Sequence, residues 1–131
     1  MRIPLDTHTF IWYIGDSSQL SRTAKWLIES YDTDVALSIV SLWEISIKNA
    51  LGRLEVEDGY DSLADDLVKY SIDVLPIRFA DTSQQNRLPF HHKDPFDRMI
   101  AAQALVERID LVSRDEVFDR YFEGSEVKRI W

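Results

Sequence analysis

The stretch DVALSIVSLWEISIKNALG, Asp34 to Gly52, changes its hydrophobic pattern partway along. Asp34 to Ile39 is an apolar run of strand length. From Ser41 to about Leu51 the pattern reads as a helix, apolar on more than one side through Leu42, Trp43, Ile45, Ile47, Ala50 and Leu51. Gly52 supplies its stop. A strand passing directly into a helix is the unit that recurs along the rest of the chain.

Upstream, Arg2 to Asp6 reads as a short strand, Thr9 to Tyr13 as a helical turn and Ser21 to Tyr31 as a helix. Pro4 is awkward in that first strand, because a central strand needs its N–H groups; it is tolerable near a strand start. Downstream, Tyr60 to Tyr70 has the helical period, with Leu63, Leu67 and Val68 on one face. Ile72 to Ile77 reads as a strand ending near Pro76, and Phe79 to Arg87 as a short helix. Asp94-Pro95 opens a helix that continues to about Arg108, with Asp94 as N-cap and Pro95 at the first helical position. Leu111 to Ser113 is strand-like, Asp115 to Tyr121 a short helix and Val127 to Trp131 a last strand. This alternation predicts an α/β domain with a mostly parallel sheet. No repeat, low-complexity tract or linker interrupts it, so one domain over residues 1–131 is expected.

With 131 residues, 45% of them hydrophobic and 29% charged, the chain can bury a core of its own. The absence of cysteine excludes disulfides, zinc–thiolate sites and thiol catalysis. No basic-then-apolar leader precedes Ile3, and the longest uncharged apolar run, Val35 to Trp43, is too short to span a membrane. The expected compartment is therefore the cytoplasm, with no membrane partner. The net charge of −8 runs against nucleic-acid binding, which cations drive. Either the acidic surface serves solubility, or carboxylates crowd into one site to hold a divalent metal.

Position along the chain bears on that choice. Asp6 ends the first strand, and Asp115 follows the strand Leu111 to Ser113. Glu44 and Asp97 lie in the first turns of their helices. In a parallel sheet all four face the carboxyl edge, where ligands bind. Each also has a structural explanation. Ser41 and Glu44 fit a capping box, Asp94 is an N-cap, Asp97 suits a helix dipole and Asp115 could cap the helix after it. Asp6 is the hardest to explain this way, since carboxylates are rare in strands and costly when half buried. Taken together, several carboxylates within about 5 Å repel by roughly 1 kcal/mol per pair even in water, so a fold assembles them with a cation. Hard oxygen ligands point to Mg²⁺ or Mn²⁺. His8, His91 and His92 lack zinc-site spacing, and His8 reads as an orienting or packing residue. No nucleophile elbow or phosphate-binding glycine loop is present.

Four blocks then carry a resemblance. They are Leu5-Asp6-Thr7-His8 with Trp12; Ser38-Ile39-Val40-Ser41-Leu42-Trp43-Glu44-Ile45 with Lys48; Leu88-Pro89 followed by His92 to Arg98 and Ile100 to Ala104; and Leu111-Val112-Ser113-Arg114-Asp115. In this order and spacing they resemble the PIN domain of VapC-type toxins. The resemblance implies a Rossmann-like, three-layer fold and a Mg²⁺- or Mn²⁺-dependent endoribonuclease. It implies a catalytic, metal-binding set at Asp6, Glu44, Asp97 and Asp115, supported by Thr7 and by Ser113 where the family more often has threonine. It further implies an RNA substrate, a VapB-type antitoxin partner and a homodimer. Lys48, Arg53, Arg87, Lys93, Arg98 and Arg114 are candidates to hold the RNA backbone, with two or three expected to touch it. A receiver domain or an aspartate-nucleophile phosphatase fits less well. The first needs adjacent acids after the first strand, and the second needs an acid where His8 stands. A non-catalytic RNA- or protein-binding module on the same fold remains the alternative.

Overall fold

Five short strands and seven helices alternate in the computed structural model, which describes residues 1–131. The order is β1 (Arg2–Leu5), α1 (Thr7–Ile14), α2 (Arg22–Glu29), β2 (Asp34–Ser38), α3 (Ile39–Ala50), a 3₁₀ turn (Tyr60–Ser62) leading into α4 (Leu63–Lys69), β3 (Asp73–Leu75), α5 (Phe79–Arg87), α6 (Pro95–Glu107), β4 (Leu111–Val112), α7 (Val117–Phe122) and β5 (Arg129–Ile130). The strands form one sheet in the order β3-β2-β1-β4-β5, and every pairing is parallel. The carboxyl ends of all strands therefore lie along one edge.

The sheet separates two cores, and alternation along β4 sends Val112 to one and Leu111 to the other. Ile3, Leu5, Val35 and Leu37 meet Phe10 of α1, Leu27 of α2, Ile45 of α3 and Leu63 of α4 on one face. On the other face Leu111 meets Ile100, Ala101 and Ala104 of α6 and Phe118 and Phe122 of α7. Helices on both faces of a parallel sheet make the three layers that the family resemblance implied. No helix is long and apolar enough to cross a membrane.

Pro4 sits in the central strand, paired by register with Ala36 of β2. The N–H of Asp6 donates to Val112 O of β4 at 3.1 Å. Residues two apart face the same neighbour, so the Pro4 nitrogen also points toward β4. β4 begins only at Leu111 and pairs with β1 at Leu5 alone, so at Pro4 there is no ladder bond to lose.

Three helix starts at the carboxyl edge differ from the sequence reading, and each difference concerns an acid or hydroxyl of the site. α1 begins at Thr7 because Asp6 itself is the N-cap, its carboxylate accepting the Thr9 N–H. α3 begins at Ile39, capped by Ser38, whose hydroxyl accepts the Val40 N–H. Ser41 is thus inside the helix, and the capping-box explanation of Glu44 falls. α7 begins at Val117, two residues later than expected, with Asp115 Oδ1 accepting the Val117 N–H ahead of it. β3 and β5 are shorter than the runs Ile72 to Ile77 and Val127 to Trp131.

Candidate metal centre

Asp6 is the most constrained of the acids. It is 5% exposed at the end of the central strand, where the chain turns into α1. Its Oδ1 accepts the Thr9 N–H at 2.9 Å, and its Oδ2 accepts the Ser113 hydroxyl at 2.6 Å. Burial pushes the carboxyl above its ordinary range, against the lowering effect of those hydrogen bonds and of His8. The Ser113 hydroxyl also accepts the Asp115 N–H at 3.0 Å. One serine at the end of β4 therefore ties together the two acids that leave neighbouring strands.

Glu44 is buried in the second turn of α3. Thr7 donates its hydroxyl to Glu44 Oε1 at 2.7 Å and also lies 2.9 Å from the Ser41 hydroxyl. Lys48, one turn further along α3, pairs with Glu44 Oε2. Asp97 is half-buried in the first turn of α6. Burial, then the charges of Asp94, Glu44, Asp6 and Asp115, push its carboxyl up to about 8. Acids from the ends of β1 and β4, from α3 and from the α6 cap thus all act on this one carboxyl.

These residues line one cleft of about 500 Å³ at the carboxyl edge of the sheet. Its walls carry the acids Asp6, Glu44, Asp94, Asp97, Asp115 and Glu116, the cations Lys48 and Arg114, and His8 and Trp12. All four acids expected from the sequence are in it. The tightest group, however, shares only Asp97 with those four. Ligand atoms of His92, Asp94 and Asp97 lie within 4.8 Å of one another. Asp94 does cap α6, through Oδ1 to the N–H groups of Phe96 and Asp97, yet it also belongs to the acid cluster. His92 Nδ1 accepts the Asp94 N–H, which leaves only Nε2 for a ligand. The five-residue spacing from His92 to Asp97 matches no regular ligand motif, so the loop hides this pairing from sequence inspection.

The donor set fits a hard divalent cation. Six acids face two cations across the cleft, and the half-buried Asp97 carboxyl, raised by burial and by those acids, can be ionised there at neutral pH only with added positive charge beside it. Among the candidate RNA contacts, Lys48 and Arg114 line the cleft, whereas Arg53 and Lys93 are exposed and Arg87 bonds Ser83 and Gln84 on its own helix. Arg98 requires correction. It is 2% exposed, and its guanidinium donates to the carbonyls of Gln85, Leu88 and Pro89 while lying 3.9 Å over the Phe90 ring. It is a clamp on the loop before α6 and cannot reach RNA.

Comparison with known proteins agrees with this architecture. No curated protein matches the sequence. Among solved structures, VapBC2 from Rickettsia felis, bound to a DNA fragment from its promoter, superposes with a TM-score of 0.72 at 16% identity, covering 100% of both chains. VapBC-1 from nontypeable Haemophilus influenzae gives 0.68 at 17% identity over 98% of each chain. VapBC-5 from Mycobacterium tuberculosis, of the VapBC family of toxin–antitoxin systems, gives 0.66 at 20% identity over 98% of this chain and 97% of that one. At such identities the likeness is one of fold. The family itself is decided by sequence: the model of the PIN domain matches residues 3–123, from β1 through the end of α7, and the chain belongs to the PIN domain family.

Proposed function

We propose that this PIN domain is a Mg²⁺- or Mn²⁺-dependent endoribonuclease and the toxin of a toxin–antitoxin pair. The observation that carries the reading is the cleft of six acids at the carboxyl edge, where burial and then the neighbouring acids push the Asp97 carboxyl up to about 8. Asp6, Asp97 and Asp115 are the proposed metal ligands, with Glu44 as a further ligand or as the group orienting the attacking water, and with Asp94 and His92 beside them. A bound divalent ion supplies positive charge for the phosphate oxygens and acidifies a coordinated water.

The chain's own residues set that site in place. Ser113 and the Thr9 N–H hold both oxygens of Asp6, so its carboxylate is aimed before any ligand arrives. Thr7 and Lys48 do the same for Glu44, fixing one oxygen each. Lys48 and Arg114, at the cleft wall, offset acidic repulsion of an incoming phosphodiester.

A VapB-type antitoxin has a place to bind. Beside the acid cleft, between α1, α3 and α4, lies a groove of about 430 Å³ floored by Ile11, Ile14, Ile45 and Leu63 and rimmed by Glu55, Glu57, Asp58 and Asp65. An antitoxin segment with apolar anchors and basic flanks suits it, and an Arg from that segment would pair bidentately with Asp6 and Asp97 in place of metal. Raising Mg²⁺ should then weaken inhibition. A homodimer is proposed through α3, where Trp43 and the capping residue Leu51 just past its end are 59% and 60% exposed although Leu42 and Ile45 are buried.

The test of the enzyme is cleavage of total cellular RNA by the purified chain with Mg²⁺ and with EDTA, beside Asp6→Asn. Cleavage only with metal, and only by the parent, is expected. Equal cleavage in EDTA would reject the reading.

A further inference from the structure

We propose that Trp12 is a stacking platform that receives one unpaired base of the RNA beside the acid cleft. The inference rests on the ribonuclease reading and names how that site would hold its substrate.

Trp12 lies on α1, six residues after Asp6. It lines the cleft with the acids, and among the ten lining residues it is the only hydrophobic one. The core does not need it there: α1 already contributes Phe10, fully buried, and packs Ile11 and Ile14 against the same core. Trp12 is instead left half-exposed and propped from the side. The His8 ring stands 5.7 Å away at 42°, and the Trp131 ring 5.8 Å away at 59°. Such tilted neighbours restrain an indole without covering it, so little side-chain freedom remains to be lost on binding.

A cation completes the arrangement. The Arg114 guanidinium lies 5.8 Å over the Trp12 ring. Its other contact is a long one, 3.4 Å to the Gln19 side chain, and both residues are exposed. Arg114 can therefore swing aside and close over a base or reach the adjoining phosphate. An aromatic face with a mobile cation, next to a phosphodiester-cleaving site, is the chemistry that holds single-stranded nucleic acid. Bases inside a duplex could not reach it, which selects unpaired RNA. An apolar peptide is the less suitable occupant, because the cleft has one hydrophobic wall residue whereas the neighbouring groove has six.

The test uses short single-stranded RNA oligonucleotides in Mg²⁺, each carrying one abasic ribose walked through the sequence. KM and kcat are measured for the parent, Trp12→Leu and Trp12→Phe, with thermal midpoints as a fold control. For the parent, one abasic position should raise KM by about tenfold or more. Trp12→Leu should lose the same factor on intact RNA and lose nothing further at that position, with kcat retained. Trp12→Phe should stay within about threefold of the parent, since stacking survives. A parent with no abasic-sensitive position, or Trp12→Leu that keeps the parent's KM, overturns the platform while leaving the ribonuclease reading intact. A parent that cleaves no RNA in Mg²⁺ overturns both. If Trp12→Leu does not fold, the abasic series on the parent and Trp12→Phe still decides.

Discussion

At the scale of single residues, the central feature is that carboxyls are held where their charge is costly. Asp97 is pushed from the ordinary 3.8 up to about 8, and Asp6 is raised as well. Between those two values the folded, metal-free chain holds a proton that the unfolded chain has released. Its stability therefore falls as pH rises from about 4 to about 8. Urea midpoints in EDTA across that window should decline, and Asp97→Asn should flatten the decline. A flat profile for the parent would contradict the raised carboxyls. Ser113 offers a second test, since its hydroxyl is donated to Asp6. Ser113→Ala should weaken Mn²⁺ binding about 10-fold or more by calorimetry, and Ser113→Thr should restore it. Asp6, Asp97 and Asp115 stood out in the sequence because each follows a strand end or opens a helix, whereas Glu44 was placed at a helix start that the structure moves back to Ile39. Asp94 and His92 did not stand out, because a cap already explains Asp94 and no ligand spacing marks His92.

At the scale of elements, local capping chemistry decided where helices begin. Ser38 and Ser41 are both capable caps for α3, and only the strand's true end at Ser38 selects between them. Asp6 could be read as a ligand, yet sequence alone did not show that it also caps α1. Pro4 looked like a defect until the shortness of β4 removed its missing partner. Arg98 misled for a different reason. A charged residue next to a site acid resembles a substrate contact, and only packing reveals the three carbonyls it serves. Because those bonds join the end of α5 and the α5–α6 loop to α6, Arg98→Ala should destabilise the fold by about 3 kcal/mol in urea unfolding. If Arg98→Ala keeps the parent's midpoint and instead weakens RNA binding, the clamp assignment is wrong.

At the scale of the whole molecule, six of the 23 acidic residues behind the net charge of −8 line one cleft, and under the proposed ribonuclease function a divalent cation held there would offset their repulsion of RNA. The apolar residues that α3 leaves outside bear on assembly. Part of its apolar surface is covered by α4, since Ile45 and Leu63 share a core, but Trp43 stays exposed against Phe96. Sedimentation at micromolar concentration should give twice the 15.3 kDa chain mass, and Trp43→Glu should reduce it to the monomer. A monomeric parent would reject that interface. The central claim is that the acids oppose the metal-free fold and serve function only with a cation. It is tested most directly by following the thermal midpoint of the parent and of Asp97→Asn through a Mg²⁺ titration, with RNA cleavage measured on the same samples. The account predicts that Asp97→Asn starts at or above the parent's midpoint without metal, gains less from Mg²⁺, and cleaves at least about 100-fold more slowly. An Asp97→Asn variant that gains as much from Mg²⁺ and cleaves like the parent would contradict it.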